Sequence, residues 1–316
     1  MAITRAARSG RPWPGAGGTP SGGGGVARRA AWGRFLGGFL AVCEASERVA
    51  IGGPGDPSER QIRKALSLQP LDVQTAPENG LQPVPDELGA LDFGGLMVAS
   101  PANPTGRMLD NAAMGALIDL CREKDAAFIS DEIYHGIEYE AKAVTALELT
   151  DECYVINSFS KYFSMTGWRV GWMVVPDDHV RKIERLAQNM FICASHASQV
   201  AALAAMDCHE ELEANMAVYR ANRALMAEGL PKAGFTQFAP PDGAFYFYVD
   251  VSGFTQDSRV FARELLEEAG VAATPGLDFD PVRGHQTLRF SYARSTADIE
   301  EGLARLKMFM AARGFV

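Results

Sequence analysis

Short apolar segments alternate with helical segments through the first part of this 316-residue sequence, and this alternation limits the folds that it can adopt. Residues 96–100, 126–130 and 154–157 have the length and composition of buried strands. Between the first two, residues 113–121 place apolar side chains on one face of a helix. This order is typical of an α/β fold with a mostly parallel sheet and helices on both faces. We therefore predict a large α/β domain over residues 35–210.

The remaining residues, 211–316, show a different order of segments. A helix-rich stretch extends to Leu230, and strands are predicted at residues 244–251 and 287–292 with a helix at 258–269 between them. An amphipathic helix follows the second strand. We predict that this part forms a smaller C-terminal α+β domain.

Residues 1–34 differ in composition from the rest of the chain. They contain six arginines and a run of four glycines, but no lysine and no acidic residue. Such a segment buries little apolar surface, so we expect a disordered tail. A transit peptide and the false start of a truncated chain are the alternatives. Beyond it we predict a helix at 35–45, a strand at 48–52, a helix at 58–68 that Ser58 caps, and a strand at 71–74.

The charge and the cysteine pattern exclude several classes of protein. A net charge of −9 provides no basic field to attract nucleic acid. The five cysteines are scattered without C-x-x-C spacing, so we expect reduced thiols, a cytoplasmic location and no metal centre. No window reaches 18 uninterrupted apolar residues, so we expect no membrane span.

Polar side chains follow three of the predicted strands at the point where each strand ends. Asn103 follows the first, Asp131 ends the second, and Ser158 with Lys161 follows the third. Because the carboxyl ends of parallel strands meet at one edge of a sheet, we expect these side chains to converge on one site. Each also has an ordinary explanation, as a turn residue or a helix cap.

Lys161 lies between two apolar segments and has a chemistry of its own. A lysine that is desolvated near other cations loses its proton readily and becomes an amine nucleophile. The alternative is a solvated loop lysine, which is the more common situation for this residue type.

Three motifs resemble the signature blocks of one family. The blocks S-P-A-N-P-T-G at 100–106, S-D-E-I-Y at 130–134 and S-F-S-K-Y-F-S-M-T-G-W-R-V-G-W at 158–172 occur here in the family's order. They resemble the class I/II pyridoxal-phosphate-dependent aminotransferases of fold type I, and the similarity extends from about Phe35 onward. The resemblance implies transfer of an amino group between an L-amino acid and a 2-oxo acid, and a homodimer.

The resemblance also implies a role for each residue around the cofactor ring. Lys161 would hold pyridoxal 5'-phosphate covalently through its amine and would carry a proton to and from the substrate. Asp131 would pair with the pyridinium nitrogen, so that the ring acts as an electron sink. Asn103 and Tyr134 would hydrogen-bond the phenolic oxygen.

Three further residues would hold the two anionic groups. Ser158 and Arg169 would bind the cofactor phosphate, and Arg289 would bind the substrate α-carboxylate with a fork of two hydrogen bonds. A surface strand arginine is the alternative for Arg289. The blocks at 240–246 and 274–276 resemble segments that line the substrate side in the family.

The chain departs from the family pattern at two places near its start. Members carry a small-residue turn whose backbone N–H groups cradle the phosphate, but residues 29–34 read R-A-A-W-G-R there. Asp56 stands where an aromatic ring usually stacks on the cofactor. We therefore expect loose binding of the cofactor.

Three other functions remain as alternatives to an aminotransferase. Ser158 and Lys161 form an S-x-x-K motif, as in penicillin-binding proteins, but the S-D-N and K-T-G partners of that motif do not occur. A catalytically impaired remnant of the family would bind the cofactor weakly. A pyridoxal-phosphate-dependent lyase or decarboxylase would keep the cofactor and change the reaction.

Overall fold

The computed structural model describes residues 24–27, 39–40, 43 and 46–316. The strands of the large domain are β1 (Gly24–Ala27), β2 (Arg48–Gly53), β3 (Gln69–Gln74), β4 (Gly95–Ala99), β5 (Ala127–Asp131), β6 (Cys153–Ser158) and β7 (Gly171–Val175). They form a seven-stranded sheet in the order β1-β7-β6-β5-β4-β2-β3. Strands β2 to β6 pair in parallel, and β7 is antiparallel to both of its neighbours. The predicted mostly parallel sheet is confirmed.

The helices described for the chain are α1 (Pro57–Ala65), α2 (Pro85–Leu88), α3 (Asn111–Glu123), α4 (Asp177–Phe191), α5 (His196–Ala205), α6 (His209–Lys232), α7 (Ser258–Ala269) and α8 (Thr296–Ala312). Helix α3 begins where the Asp110 carboxylate accepts a hydrogen bond from the backbone of Ala113 at 2.8 Å. Its buried face includes Leu117 and Cys121, as the spacing of apolar residues predicts.

The second domain is built on a four-stranded antiparallel sheet. Its strands are β8 (Gln237–Phe238), β9 (Tyr246–Asp250), β10 (Thr274–Pro275) and β11 (Thr287–Ser291), in the order β10-β11-β9-β8. Helix α8 contacts both α6 and α7. This arrangement is the predicted smaller α+β domain.

Helix α6 packs on both hydrophobic cores. Leu212 and Met216, near its start, belong to the core of the large domain, whereas Met226 and Leu230 belong to the core of the small domain. The proposed boundary between residues 210 and 211 falls in the first turn of this helix.

Part of the segment predicted as a disordered tail forms a strand. Residues 24–27 pair antiparallel with β7, in a register that places Gly24 opposite Val175. Two paired strands are joined by hydrogen bonds between their backbones, which do not depend on the side chains. A glycine-rich segment can therefore form the edge strand of a sheet. The rest of residues 1–34 and most of the helix predicted at 35–45 lie outside the described residues.

The start of α1 differs from the prediction that Ser58 caps it. Asp56 is the capping residue, because its Oδ1 accepts a hydrogen bond from the backbone N–H of Ser58 at 2.8 Å. Pro57 takes the first helical position, where its missing N–H costs nothing. Helix α1 ends at Ala65, and β3 begins at Gln69, two residues before the predicted strand.

Within the described part of the chain, no helix is both long enough and apolar enough to cross a membrane.

Candidate active site

The predicted site residues lie at the edge of the sheet where the parallel strands end. Ala99, the last residue of β4, pairs with Asp131 at the end of β5, and Asp131 pairs with Ile156 of β6. Asn103 and Lys161 follow these strand ends. The structure therefore brings the polar residues after the three strands to one place.

The Lys161 amine faces aromatic rings. Its Nζ lies 5.1 Å from the ring centre of Tyr134 and 5.8 Å from that of Phe245. It makes no hydrogen bond to any residue that the structure describes. A lysine amine held in this way remains available to a ligand.

Burial is the main influence on the pKa of the Lys161 amine. Burial lowers the pKa of its amine, and the positive charges of Arg289 and Arg169 act in the same direction. The carboxylates of Asp56 and Asp131 oppose this effect and raise the pKa. The balance is a lowered pKa, which increases the fraction of amine that can act as a nucleophile or a base.

Arg289 reaches the site from β11 of the small domain. Its Nη1 donates to Asn103 Oδ1 at 2.7 Å, and its Nη2 donates to Thr274 Oγ1 at 3.3 Å. The guanidinium carbon lies 4.1 Å from the ring centre of Tyr246 and 4.7 Å from that of Phe279. Its Nε is buried without a hydrogen-bond partner among the described residues. A fixed guanidinium with an unused donor suits the binding of a carboxylate.

Tyr134 is a buried phenol that keeps its proton. Its hydroxyl lies 2.8 Å from the hydroxyl of Tyr246, and burial raises the pKa of Tyr134 well above its ordinary value. Asp131, which is also buried, accepts a hydrogen bond from the backbone of Ile133 at 3.1 Å. Tyr134 can therefore donate to an anionic oxygen, and Asp131 is a carboxylate acceptor on the same edge.

Asp56 is tied to Asn103. Asn103 Nδ2 donates to Asp56 Oδ2 at 2.8 Å, while the same amide accepts from Arg289. The Asn103 side chain thus joins a carboxylate of the large domain to a guanidinium of the small domain. The sequence identifies the carboxylate at position 56, but not this contact.

The two residues predicted to bind phosphate are held differently. Ser158 Oγ donates to Ser160 Oγ at 2.9 Å and accepts from the backbone of Ser160 at 3.0 Å. Arg169 is exposed, has a left-handed backbone conformation with φ of 56°, and donates from Nη1 to the carbonyl of Thr166 at 2.7 Å. The replaced cradle at residues 29–34 lies outside the described residues.

Two residues of the site were missed by sequence reasoning. Tyr246 contacts both Tyr134 and Arg289, and its place in the block P-P-D-G-A-F-Y was the available signal. Glu59 is buried, and its Oε1 has no hydrogen-bond partner among the described residues. Burial, followed by the charges of Asp56 and Asp131, raises the pKa of Glu59 well above its ordinary value. Nothing in the surrounding polar helix sequence distinguishes it.

The arrangement fits pyridoxal phosphate at the ring and at the substrate side. Lys161 offers an amine without a described hydrogen-bond partner, and Tyr134 offers a protonated phenol. The Nε of Arg289 is a buried donor without a described acceptor, which suits a carboxylate. At the phosphate end, Ser158 and Arg169 are the residues described.

Comparisons with known proteins agree with this chemistry. The family model "Aminotransferase class I and II" matches residues 44–306. A valine–pyruvate aminotransferase of Mycobacterium tuberculosis is 41% identical over 287 residues, which cover 89% of this chain and 74% of that protein. An aspartate/prephenate aminotransferase of Thermus thermophilus is 32% identical over 275 residues, which cover 84% of this chain and 70% of that protein. A crystal structure of a protein from Silicibacter pomeroyi has a TM-score of 0.93 and 68% identity, covering 98% of this chain and 83% of that one.

Proposed function

The chain belongs to the class I and II aminotransferases, and from this premise we propose a role for each residue of its site. It is a pyridoxal-phosphate-dependent enzyme that moves an amino group between an amino acid and a 2-oxo acid. When bound, the cofactor supplies an electron sink for the charge that develops at the substrate Cα. The residues described below bind, orient and exchange protons around it.

Lys161 is the proposed catalytic residue. Its side-chain nitrogen would hold the cofactor, and after the substrate amine has displaced it, the free Lys161 amine would move a proton from the substrate Cα to the cofactor carbon that receives the amino group. The observation that carries this proposal is the environment of its Nζ, which faces the rings of Tyr134 and Phe245 and has a lowered pKa. A lowered pKa increases the fraction of amine that can take up the Cα proton.

The remaining roles concern the cofactor. Asp131 pairs with the pyridinium nitrogen, and Asn103 and Tyr134 donate to the phenolic oxygen. Ser158 and Arg169 bind the phosphate. Donation to an anionic oxygen by a buried, protonated phenol is supported by the raised pKa of Tyr134.

Arg289 is the proposed clamp for the substrate α-carboxylate. Asn103 and Thr274 hold two of its nitrogens, and its Nε is buried without a described partner. A carboxylate that pairs with this guanidinium gains two parallel charge-assisted hydrogen bonds. The clamp thus fixes the amino acid relative to Lys161.

The proposed substrates are amino acids with a small apolar side chain, with pyruvate as a 2-oxo acid. The positive charges with the largest effect on the pKa of Lys161 are those of Arg289 and Arg169, and in this proposal each already binds an anionic group. The neighbouring rings of Tyr134 and Phe245 favour an apolar side chain. The name of the Mycobacterium tuberculosis relative, a valine–pyruvate aminotransferase, agrees with this choice.

We also propose a homodimer and a cytoplasmic location. Several apolar side chains of α4, α5 and the segment between them are exposed, with Ile192 at 77%. The others are Met190, Val200 and Leu203. A second copy of the chain would cover this surface, and light scattering of the purified protein tests it: Ile192→Asp should shift the mass toward the monomer. No disulfide joins the cysteines within the described part of the chain, which agrees with a reducing compartment.

The decisive experiment is chemical mapping of the bound cofactor. Purified protein incubated with pyridoxal phosphate should be yellow, and borohydride reduction followed by digestion should place the pyridoxyl group on Lys161. Valine, alanine and aspartate, each added with pyruvate, then test the substrate class. A pyridoxyl group on another lysine would refute the assignment of Lys161, and faster turnover of aspartate than of valine would refute the substrate proposal.

A further inference from the structure

Tyr246 lies between the two halves of the site. This residue begins β9 and is buried. Its ring centre is 4.1 Å from the guanidinium carbon of Arg289, and its hydroxyl is 2.8 Å from that of Tyr134. One side chain therefore touches both the proposed substrate clamp and a proposed cofactor ligand.

The contact with Arg289 follows from the pairing of β9 and β11. Arg289 is directly opposite Tyr248, and Tyr246 is opposite Ser291. Tyr246 and Tyr248 are two positions apart on one strand and so share a face of the sheet, which makes Tyr246 the diagonal neighbour of Arg289. A flat guanidinium above an aromatic ring is attracted to the negative face of the ring. The ring therefore limits the movement of the guanidinium.

The contact with Tyr134 determines which of the two hydroxyls donates the hydrogen bond between them. Each phenol has one O–H to donate, and the rings meet edge to face with their centres 5.8 Å apart. If the O–H of Tyr134 donates a hydrogen bond to the phenolic oxygen of the cofactor, Tyr246 must be the donor in the hydrogen bond between the two tyrosine hydroxyls. Among the described residues, this is the one hydrogen bond of the Tyr246 hydroxyl. A phenol that accepts a hydrogen bond is also a stronger donor.

We propose that Tyr246 is a positioning residue whose ring holds Arg289 for the substrate carboxylate and whose hydroxyl orients the proton of Tyr134 toward the cofactor. The inference rests on the proposed roles of Arg289 and Tyr134. Burial raises the pKa of Tyr246, which keeps its proton available for this bond.

Two substitutions separate the two roles. Tyr246→Phe keeps the ring and removes the hydroxyl, whereas Tyr246→Leu removes both. Tyr292→Phe is the matched control, because the buried Tyr292 donates to another phenol, that of Tyr139, at the same distance of 2.8 Å. Thermal melting identifies variants that do not fold. If Tyr246→Leu is one of them, Tyr246→Met replaces it, since methionine fills much of the volume without a ring.

The first measurement is binding of 2-methylalanine to the cofactor-loaded protein. This amino acid has no hydrogen on Cα, so absorbance reports binding without turnover. We expect Tyr246→Leu to weaken it at least about tenfold, as expected for the loss of a desolvated cation–π contact, and Tyr246→Phe to change it less than about threefold. Unchanged binding in Tyr246→Leu, with weakened binding in Arg289→Lys, would overturn the role of the Tyr246 ring and leave the proposed role of Arg289 intact. Unchanged binding in Arg289→Lys would instead refute the clamp, and with it the role of the Tyr246 ring.

The second measurement is the pH titration of the visible absorbance band of the bound cofactor. A hydrogen bond to the phenolic oxygen favours its anionic form, so a weaker donor moves the midpoint to higher pH. We expect an upward shift of about 0.5 unit or more in Tyr246→Phe, a shift of at least that size in Tyr134→Phe, and none in Tyr292→Phe. A shift in Tyr134→Phe alone would overturn the role of the Tyr246 hydroxyl. No shift in Tyr134→Phe would refute the cofactor contact in the proposed function, and equal shifts in all three would show a general packing effect.

Discussion

The two ends of the candidate site differ in how their side chains are held. At the carboxylate end, Arg289 is fixed by two hydrogen bonds and by two aromatic rings. At the phosphate end, Arg169 is exposed and donates to a single carbonyl three residues before it. One arginine is thus positioned by residues from both domains, and the other by its own local turn.

This difference indicates where binding energy is available before a ligand arrives. Ordering a long side chain costs conformational entropy. At the carboxylate end, Arg289 is already ordered in the folded protein, so a ligand that binds it does not bear this cost. At the phosphate end the ligand must order Arg169 itself. Substitutions at the carboxylate end should therefore have larger and more specific effects.

Replacement of Lys161, which lies between the two ends, should have the largest effect. Lys161→Ala removes the proposed proton carrier and should lower the transamination rate by at least about 10³-fold, since a positioned acid–base group contributes on this scale. Rates from single-turnover absorbance measure it. Cofactor should still bind noncovalently, so retention of more than a tenth of the wild-type rate would show that another base acts here.

Arg289→Lys tests the carboxylate end. Lysine keeps the charge but loses the fork, so amino-acid binding should weaken by roughly 2 kcal/mol, while cofactor affinity barely changes. Titrations with amino acid and with pyridoxal phosphate give the two affinities separately. Equal losses in both would mean that Arg289 is structural, and the contrast between the two ends would disappear.

Asp56 tests how far a carboxylate near the cofactor weakens its retention. We expect the wild type to lose the cofactor on dialysis. Asp56→Tyr should tighten binding by about 0.5 to 1.5 kcal/mol through ring stacking, but it should lower the free energy of unfolding by about 1 kcal/mol because α1 loses its cap.

Asp56→Asn is the control for this substitution. Asparagine can still cap α1, but it removes the charge and the oxygen that accepts from Asn103, so binding should tighten to a smaller extent, with a smaller loss of stability than in Asp56→Tyr. Fluorescence titration of the cofactor-free protein measures both variants. Tight binding by the wild type with no change in Asp56→Tyr would show that another segment, and not the turn at residues 29–34, supplies the cradle.

Arg169→Gln should have the smallest effect. An exposed arginine gains little from a charge pair in water, so cofactor binding should weaken by about 0.5 to 1 kcal/mol, and added salt should reduce the difference from the wild type. The affinity for 2-methylalanine should stay the same. If cofactor affinity in Arg169→Gln falls as much as amino-acid affinity in Arg289→Lys, the two arginines are held equally well before the ligand binds.

The sequence predicts most of the fold but only part of the site. Strand ends and helix faces follow from the local spacing of apolar residues, so the convergence near Lys161 could be inferred in advance. The contact of Asp56 with Asn103 joins positions 47 apart in the chain and depends on the geometry of two turns. The place of Tyr246 beside Arg289 depends on the register of two paired strands. Strand β1 was missed because its glycines show no alternation of apolar and polar residues.

Helix α6 has a consequence for how the protein unfolds. Because one continuous helix contributes side chains to both hydrophobic cores, melting of either core exposes apolar surface on a helix that the other core needs. The two domains should therefore lose their structure in one cooperative transition, with amide hydrogens along the middle of α6 among the last to exchange. A fragment that begins within α6 would therefore expose apolar side chains of this helix that are buried in the core of the large domain in the intact chain.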